Sequence, residues 1–90
     1  MVTMKTDTFP DLASVCALDN YQIKVTYVTG EERLFDVGPY ANGPWYGELI
    51  DPEYFARVSI DPQFKDTVSW PHGQDLAPHE VYELGILIDE

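Results

Sequence analysis

The sequence predicts an α+β domain, built on a small antiparallel sheet of about five short strands with two short helices. Three observations predict it. Tyr21, Ile23, Val25 and Tyr27 alternate with Gln22, Lys24 and Thr26, a period of two with β-branched and aromatic residues on one face. Turn-forming Asp19-Asn20 and Thr29-Gly30-Glu31 bracket that run, which makes it the middle strand of an N-terminal three-stranded meander. Asp51-Pro52 and Ala77-Pro78 each place a proline where a helix begins.

Residues 1–11 are polar and include Pro10, and they are expected to form a flexible leader. Residues 12–18, Leu-Ala-Ser-Val-Cys-Ala-Leu, are an apolar run of strand length. Asp19 and Asn20 both tolerate positive φ, so they are expected to turn the chain tightly. Residues 32–37 return as the third strand, with Arg33, Phe35 and Val37 on one face and Leu34 and Asp36 on the other. One face of this meander packs on the core and the other is partly solvated.

Residues 38–44 hold glycines and prolines and a single helical turn from Pro39. Residues 45–50 carry no assignable period. Asp51 then serves as an N-cap and Pro52 as the first helical residue. This helix is short, because residues 57–61 switch to alternation with Val58 and Ile60 inward. A loop runs from Asp61-Pro62 to near Asp66. Residues 67–70 form another strand, with Val68 and Trp70 on one face, and Pro71-His72-Gly73 turns the chain. In the second helix Glu80 suits the positive end of the dipole. Val81 and Leu84 share a face onto which Leu76 is stapled, and Gly85 caps the C-terminus. Residues 86–88 are apolar and add a strand or dock on another chain. The expectation is one domain over residues 1–90, with a leader at 1–11, a core at 12–84 and an apolar tail at 85–90.

A chain of 90 residues buries roughly two-thirds of the surface its unfolded form exposes. With 44% hydrophobic and 13% aromatic residues, it has the means to fold despite its charge. Sixteen acidic against five basic residues give a net charge of −11. The five cations, Lys5, Lys24, Arg33, Arg57 and Lys65, are scattered. Nucleic-acid binding draws on clustered Lys and Arg, and anionic membranes require the same, so both partner classes are excluded. A basic protein partner fits the charge. Cys16 is the single cysteine, so no disulfide forms within the chain. The first residues lack a signal peptide's apolar segment, and no run is long enough to span a bilayer. A cytoplasmic location follows as the expectation.

Several strings together resemble one family. These are Leu18-Asp19-Asn20-Tyr21, Phe35-Asp36-Val37, Asp51-Pro52-Glu53-Tyr54-Phe55 and, most specifically, Val68-Ser69-Trp70-Pro71-His72-Gly73-Gln74-Asp75-Leu76-Ala77-Pro78. Their order and spacing are similar to those of the bacterial domain of unknown function 2442 family, from about residue 12 to residue 84. The resemblance implies a small α+β domain of bacterial origin without an established activity. Some relatives carry a helix-turn-helix domain after the equivalent of Leu84, and residues 85–90 hold no such module. Others resemble partners encoded beside small toxin-like proteins, which implies an antitoxin-like or regulatory role. His72 and Asp66 stand where the family is expected to carry asparagine and glycine. It has no agreed catalytic residues, so none are carried over.

His72, Asp75 and His79 supply zinc-ligating side chains in sequence. Pro78 starts a helix, however, which leaves His72 and Asp75 in the preceding turn and off the face of His79. They read as turn and solvated helix residues, and no metal or cofactor is assigned. Asp19, Asp36 and Asp75 are candidates for paired carboxylates, but sixteen acids make such pairs common without burial to shift them. Ser69 lacks the glycine flanks of a nucleophile elbow. Cys16, in an apolar strand, reads as an inert core thiol. No phosphate-binding glycine motif occurs, and no catalytic residue is assigned.

Tyr40, Trp45, Tyr46, Tyr54, Trp70 and Tyr82 enrich the second half in aromatics, the residue types that anchor protein interfaces. The expected function is a non-catalytic protein-interaction or regulatory module. Trp45, Tyr46, Trp70, His72 and Asp75 form its candidate binding surface, for an as yet unnamed protein partner or a second copy through residues 86–88. The alternative is a small enzyme or ligand- or metal-binding domain centred on Trp70, His72 and Asp75.

Overall fold

The alternating run becomes an inner strand of a four-stranded antiparallel sheet. In the computed structural model, which describes residues 9–88, the strands of this sheet are β1 (Leu12–Ala17), β2 (Gln22–Tyr27), β3 (Glu32–Asp36) and β6 (Ile86–Leu87), in the order β1-β2-β3-β6. Along β2, Ile23, Val25 and Tyr27 are buried while Lys24 and Thr26 are partly exposed. Alternation in sequence has become alternation of faces. Residues 1–8 of the expected leader lie outside the described residues. The Phe9 ring lies tilted against that of Tyr82, 5.3 Å between ring centres.

β1 contains an irregularity that decides which of its side chains reach the core. Leu12 opposes Tyr27, but Ser14 opposes Thr26, so Ala13 is an extra residue. A bulge of this kind reverses the parity of the strand. Leu12 is buried on one side of it, and beyond it Val15 and Ala17 pack against the core. Cys16 consequently faces outward and is exposed, not a core thiol.

The turn after β1 sits one residue later than Asp19-Asn20. Asn20 and Tyr21 hold the positive φ values, 62° and 61°. For tyrosine this conformation is unfavourable, and tertiary contacts hold it there. The Tyr21 hydroxyl donates to the Ile50 carbonyl at 2.6 Å, and its ring meets Phe55 edge-on at 5.4 Å.

Beyond β3 the chain forms a 3-10 turn at Gly38–Tyr40 and a single helical turn, α1 (Gly43–Tyr46), which leads into another 3-10 turn at Gly47–Ile50. Pro44 lies in the first turn of α1, where its missing N–H costs nothing. Asp51 caps α2 (Pro52–Phe55) as expected, its carboxylate accepting from the Glu53 N–H at 3.1 Å. β4 (Ser59–Ile60) and β5 (Val68–Ser69) pair antiparallel as a second sheet of two strands. The described residues thus form six strands in two sheets and three short helices, where the sequence predicts about five strands and two helices. Thr67, Val68, Ser69 and Trp70 are all buried, so β5 is enclosed on both faces.

α3 (Pro78–Leu84) buries Val81, while Leu84 is 63% exposed. Leu84 therefore does not share the core-facing side expected for it. Gly85 ends the helix with φ −68° and ψ 141°, not in the left-handed conformation. Its glycine is required by crowding instead. A Cβ there would collide with the Val81 carbonyl oxygen and press on Arg33. The chain then pairs as β6 against β3, with Ile86 opposite Leu34 and Leu87 opposite Arg33. Arg33 secures this closure. Its guanidinium pairs with Glu31, donates to the Gly85 carbonyl at 3.0 Å, and lies 4.3 Å over the ring of Tyr82. Ile23, Val25, Phe35, Val37, Leu49, Phe55, Val68, Trp70 and Val81 form the centre of the core. No helix among the described residues is long and apolar enough to cross a membrane.

Candidate functional site

Two segments without clear periodicity meet on one side of the molecule. One is α1 with the 3-10 turn that follows it. The other is the turn that leaves β5. Gly73 takes φ 109° there, a conformation glycine adopts freely, and the Trp45 indole lies against it. Trp70 N–H donates to the Gln74 carbonyl at 2.8 Å, and Ser69 forms an isolated bridge with Asp75.

A polar ring is built between these segments. Gln74 is fully buried. Its amide nitrogen donates to the Trp45 carbonyl at 3.1 Å and to the Glu48 carboxylate at 2.8 Å. Its amide oxygen accepts from the Tyr54 hydroxyl at 2.7 Å. That hydroxyl accepts in turn from the His72 backbone N–H at 2.9 Å. The His72 ring stacks on Tyr54 at 5.1 Å and places Nδ1 2.8 Å from Glu48. Hydrogen bonds from His72 and then from Gln74 hold the Glu48 carboxyl below its ordinary range. Every polar atom of the buried amide is thereby matched, as a buried amide requires.

Beside this ring runs a groove of about 630 Å³. Tyr40, Tyr46, Phe64, Leu76, Ala77 and Pro78 supply apolar lining, and Asp75 and Glu80 are its acidic residues. The Tyr46 hydroxyl donates to the Asp75 carbonyl at 2.9 Å, and the Thr67 hydroxyl to the Leu76 carbonyl at 2.6 Å. These two bonds fix the groove wall through residues 75–76. Burial, and then the neighbouring Glu80, push the Tyr40 hydroxyl up from its usual pKa. Phe64 is 55% exposed.

The five candidate residues are therefore divided. Tyr46 and Asp75 line the groove together. Trp45, 48% exposed, and His72 belong to the adjoining surface. Trp70 is in the core, and its indole N–H donates to the Phe55 carbonyl at 2.9 Å. Its part is structural support beneath the site. Among the described residues no cluster of three or more His, Cys, Asp or Glu side chains is arranged to hold a metal. Sequence reasoning named Tyr54 only among the aromatics and Glu80 only for the helix dipole, and it did not single out Glu48, Phe64 or Gln74 as site residues. Position offered one signal: Gln74 and Glu80 both fall within or beside the most specific family-like string.

The model of a family described as "Protein of unknown function (DUF2442)" matches residues 12–86. No curated protein and no solved structure matches the chain.

Proposed function

Taking as premise that the chain belongs to the DUF2442 family, a family of unknown function, we propose that it is a non-catalytic interaction module that binds a protein partner in the groove beside residues 75–80. The observation that carries this reading is the groove itself. It is an apolar, aromatic-lined concavity of about 630 Å³ bordered by carboxylates, on a chain of net charge −11. Ligand and peptide sites share this combination of apolar lining and a few fixed polar groups. The charge favours a basic partner and disfavours nucleic acid. A regulatory, antitoxin-like role in a bacterial cytoplasm is the form of this reading that the family resemblance supports.

Self-association is a further part of the proposal. Ile86 and Leu87 are exposed on β6, the edge strand of the four-stranded sheet, with Leu84 exposed at the end of α3 beside it, and such edges invite pairing. The catalytic or ligand-binding alternative has the His72–Glu48 pair in its favour. It ranks second because the Trp70 indole is committed to the core and Asp75 turns to the groove.

The test is affinity capture from the native cell with the wild-type protein and with Phe64→Ser, a change at an exposed loop position. The expected result is a protein retained by the first and lost from the second. Identical retained sets, or a partner held through Trp45 and indifferent to Phe64, would overturn the assignment to the groove. Light scattering across a concentration series reads the self-association.

A further inference from the structure

We propose that the groove receives an arginine side chain from an extended partner segment, with the guanidinium between Asp75 and Glu80 and the stem across Tyr40, Tyr46 and Phe64. This rests on the groove-binding reading above and names its occupant. Three observations converge on it. First, Tyr40, Tyr46 and Phe64 line the same space as the two carboxylates. Aromatic faces attract cations and accept an apolar stem equally well. Second, among the described residues neither Asp75 nor Glu80 forms a salt bridge within the chain. The chain has five Lys and Arg against sixteen acids, and Arg33 is already engaged by Glu31. Both carboxylates are thus open to a cation supplied by a partner. Third, Ala77 and Pro78, both partly exposed, line the same groove, so apolar residues flanking the cation also find a surface.

Arginine fits better than lysine. Its planar guanidinium stacks on aromatic rings and forks between two carboxylates, whereas an ammonium is a compact, strongly hydrated charge. A free amino acid would leave the apolar part of the lining uncovered, which is why the occupant is a segment of a protein.

The probes are capped heptapeptide mixtures with randomised apolar flanks and a central Arg, Lys or Gln, titrated into ¹⁵N-labelled protein. The expected result is amide shifts centred on Leu76, Ala77 and Glu80, with the Arg mixture about tenfold tighter than the Gln mixture and the Lys mixture between them. Raising the salt concentration should narrow that preference. In Asp75→Asn/Glu80→Gln, Arg and Gln mixtures should bind alike at the same amides. Equal affinity of all three mixtures for the wild-type groove would overturn the arginine inference and leave the groove-binding reading standing. Shifts absent from the groove with every mixture would overturn both. The wild-type comparison decides the matter even if the double variant fails to fold.

Discussion

Replacing Gln74 by leucine should destabilise the fold severely, although leucine is apolar, similar in size and bound for a fully buried position. The side chain removed is matched at both ends. Its oxygen takes the Tyr54 hydroxyl and its nitrogen serves the Trp45 carbonyl. Leucine leaves the Tyr54 hydroxyl without its acceptor in a buried place, which costs about 1–3 kcal/mol, and the Trp45 carbonyl without its donor, about 1 kcal/mol more. The bond to Glu48 is left out of this sum because that carboxylate meets solvent. A total of about 2–4 kcal/mol is a large part of the roughly 5–15 kcal/mol that holds a domain folded. Urea unfolding followed by tryptophan fluorescence measures it directly, since Trp70 is buried. With a slope of about 1–2 kcal/mol per molar for a chain this small, the midpoint should fall by about 2 M. Tyr54→Phe added to Gln74→Leu removes the hydroxyl that has lost its acceptor, though also the acceptor of the His72 N–H, so the two changes together should cost less than the sum of the single ones. A midpoint shift below about 0.3 M, or a double variant as weak as the sum of the two single variants, would refute the reasoning.

Gly85→Ala should lower stability by about 1–3 kcal/mol, read as a fall in Tm, because the new methyl collides with the Val81 carbonyl, a backbone atom. Tyr27→Phe should leave Tm unchanged or raise it. Among the described residues the buried Tyr27 hydroxyl has no hydrogen-bond partner, and burial pushes its pKa up to about 12. Acid should destabilise the protein. Partial burial pushes Glu31 up, but the Tyr82 hydroxyl and the Arg33 guanidinium more than reverse this, and Asp61 is held down chiefly by the Phe64 N–H. With Glu48, these carboxyls titrate lower in the folded state than the ordinary 4.5 for glutamate and 3.8 for aspartate. Their stabilisation is complete above those values and is lost as the pH falls through the folded ones. Circular dichroism against pH should show it, and Glu31→Gln should shallow the loss.

Where a fold is governed by local rules, its residues declared it. The alternation of Ile23, Val25 and Tyr27, the Asp51 cap and the proline at Pro78 all appear where the sequence placed them. The parity reversal at Ala13 left no mark, because a bulge adds one ordinary residue and is defined only by its partner strand. Hence Cys16 was assigned to the wrong side. Gly85 was foreseen as a helix stop, but for a conformational reason where the actual one is a crowded neighbour. Of the candidate groove, Tyr46 is among the aromatics that the sequence singles out, and Asp75 is an acid inside the family-like string. Gln74 was not legible, since nothing in a polar loop residue announces that tertiary contacts will bury it completely. Phe64 was passed over for the opposite reason, an apolar residue left exposed by its loop.

The arrangement around Arg33 sets an order of assembly. The meander joins residues near one another in the chain, whereas Arg33 reaches Gly85 across 52 positions and Glu31 reaches Tyr82 across 51. Contacts that close such long loops form late, after the local hairpins have condensed. The Arg33 contacts then belong mainly to the native side of the folding barrier. Weakening them should change the rate at which the molecule opens far more than the rate at which it closes. On that account an opening that starts at this end would release β6, and Arg33→Met should shorten the lifetime of the folded state more than it slows refolding.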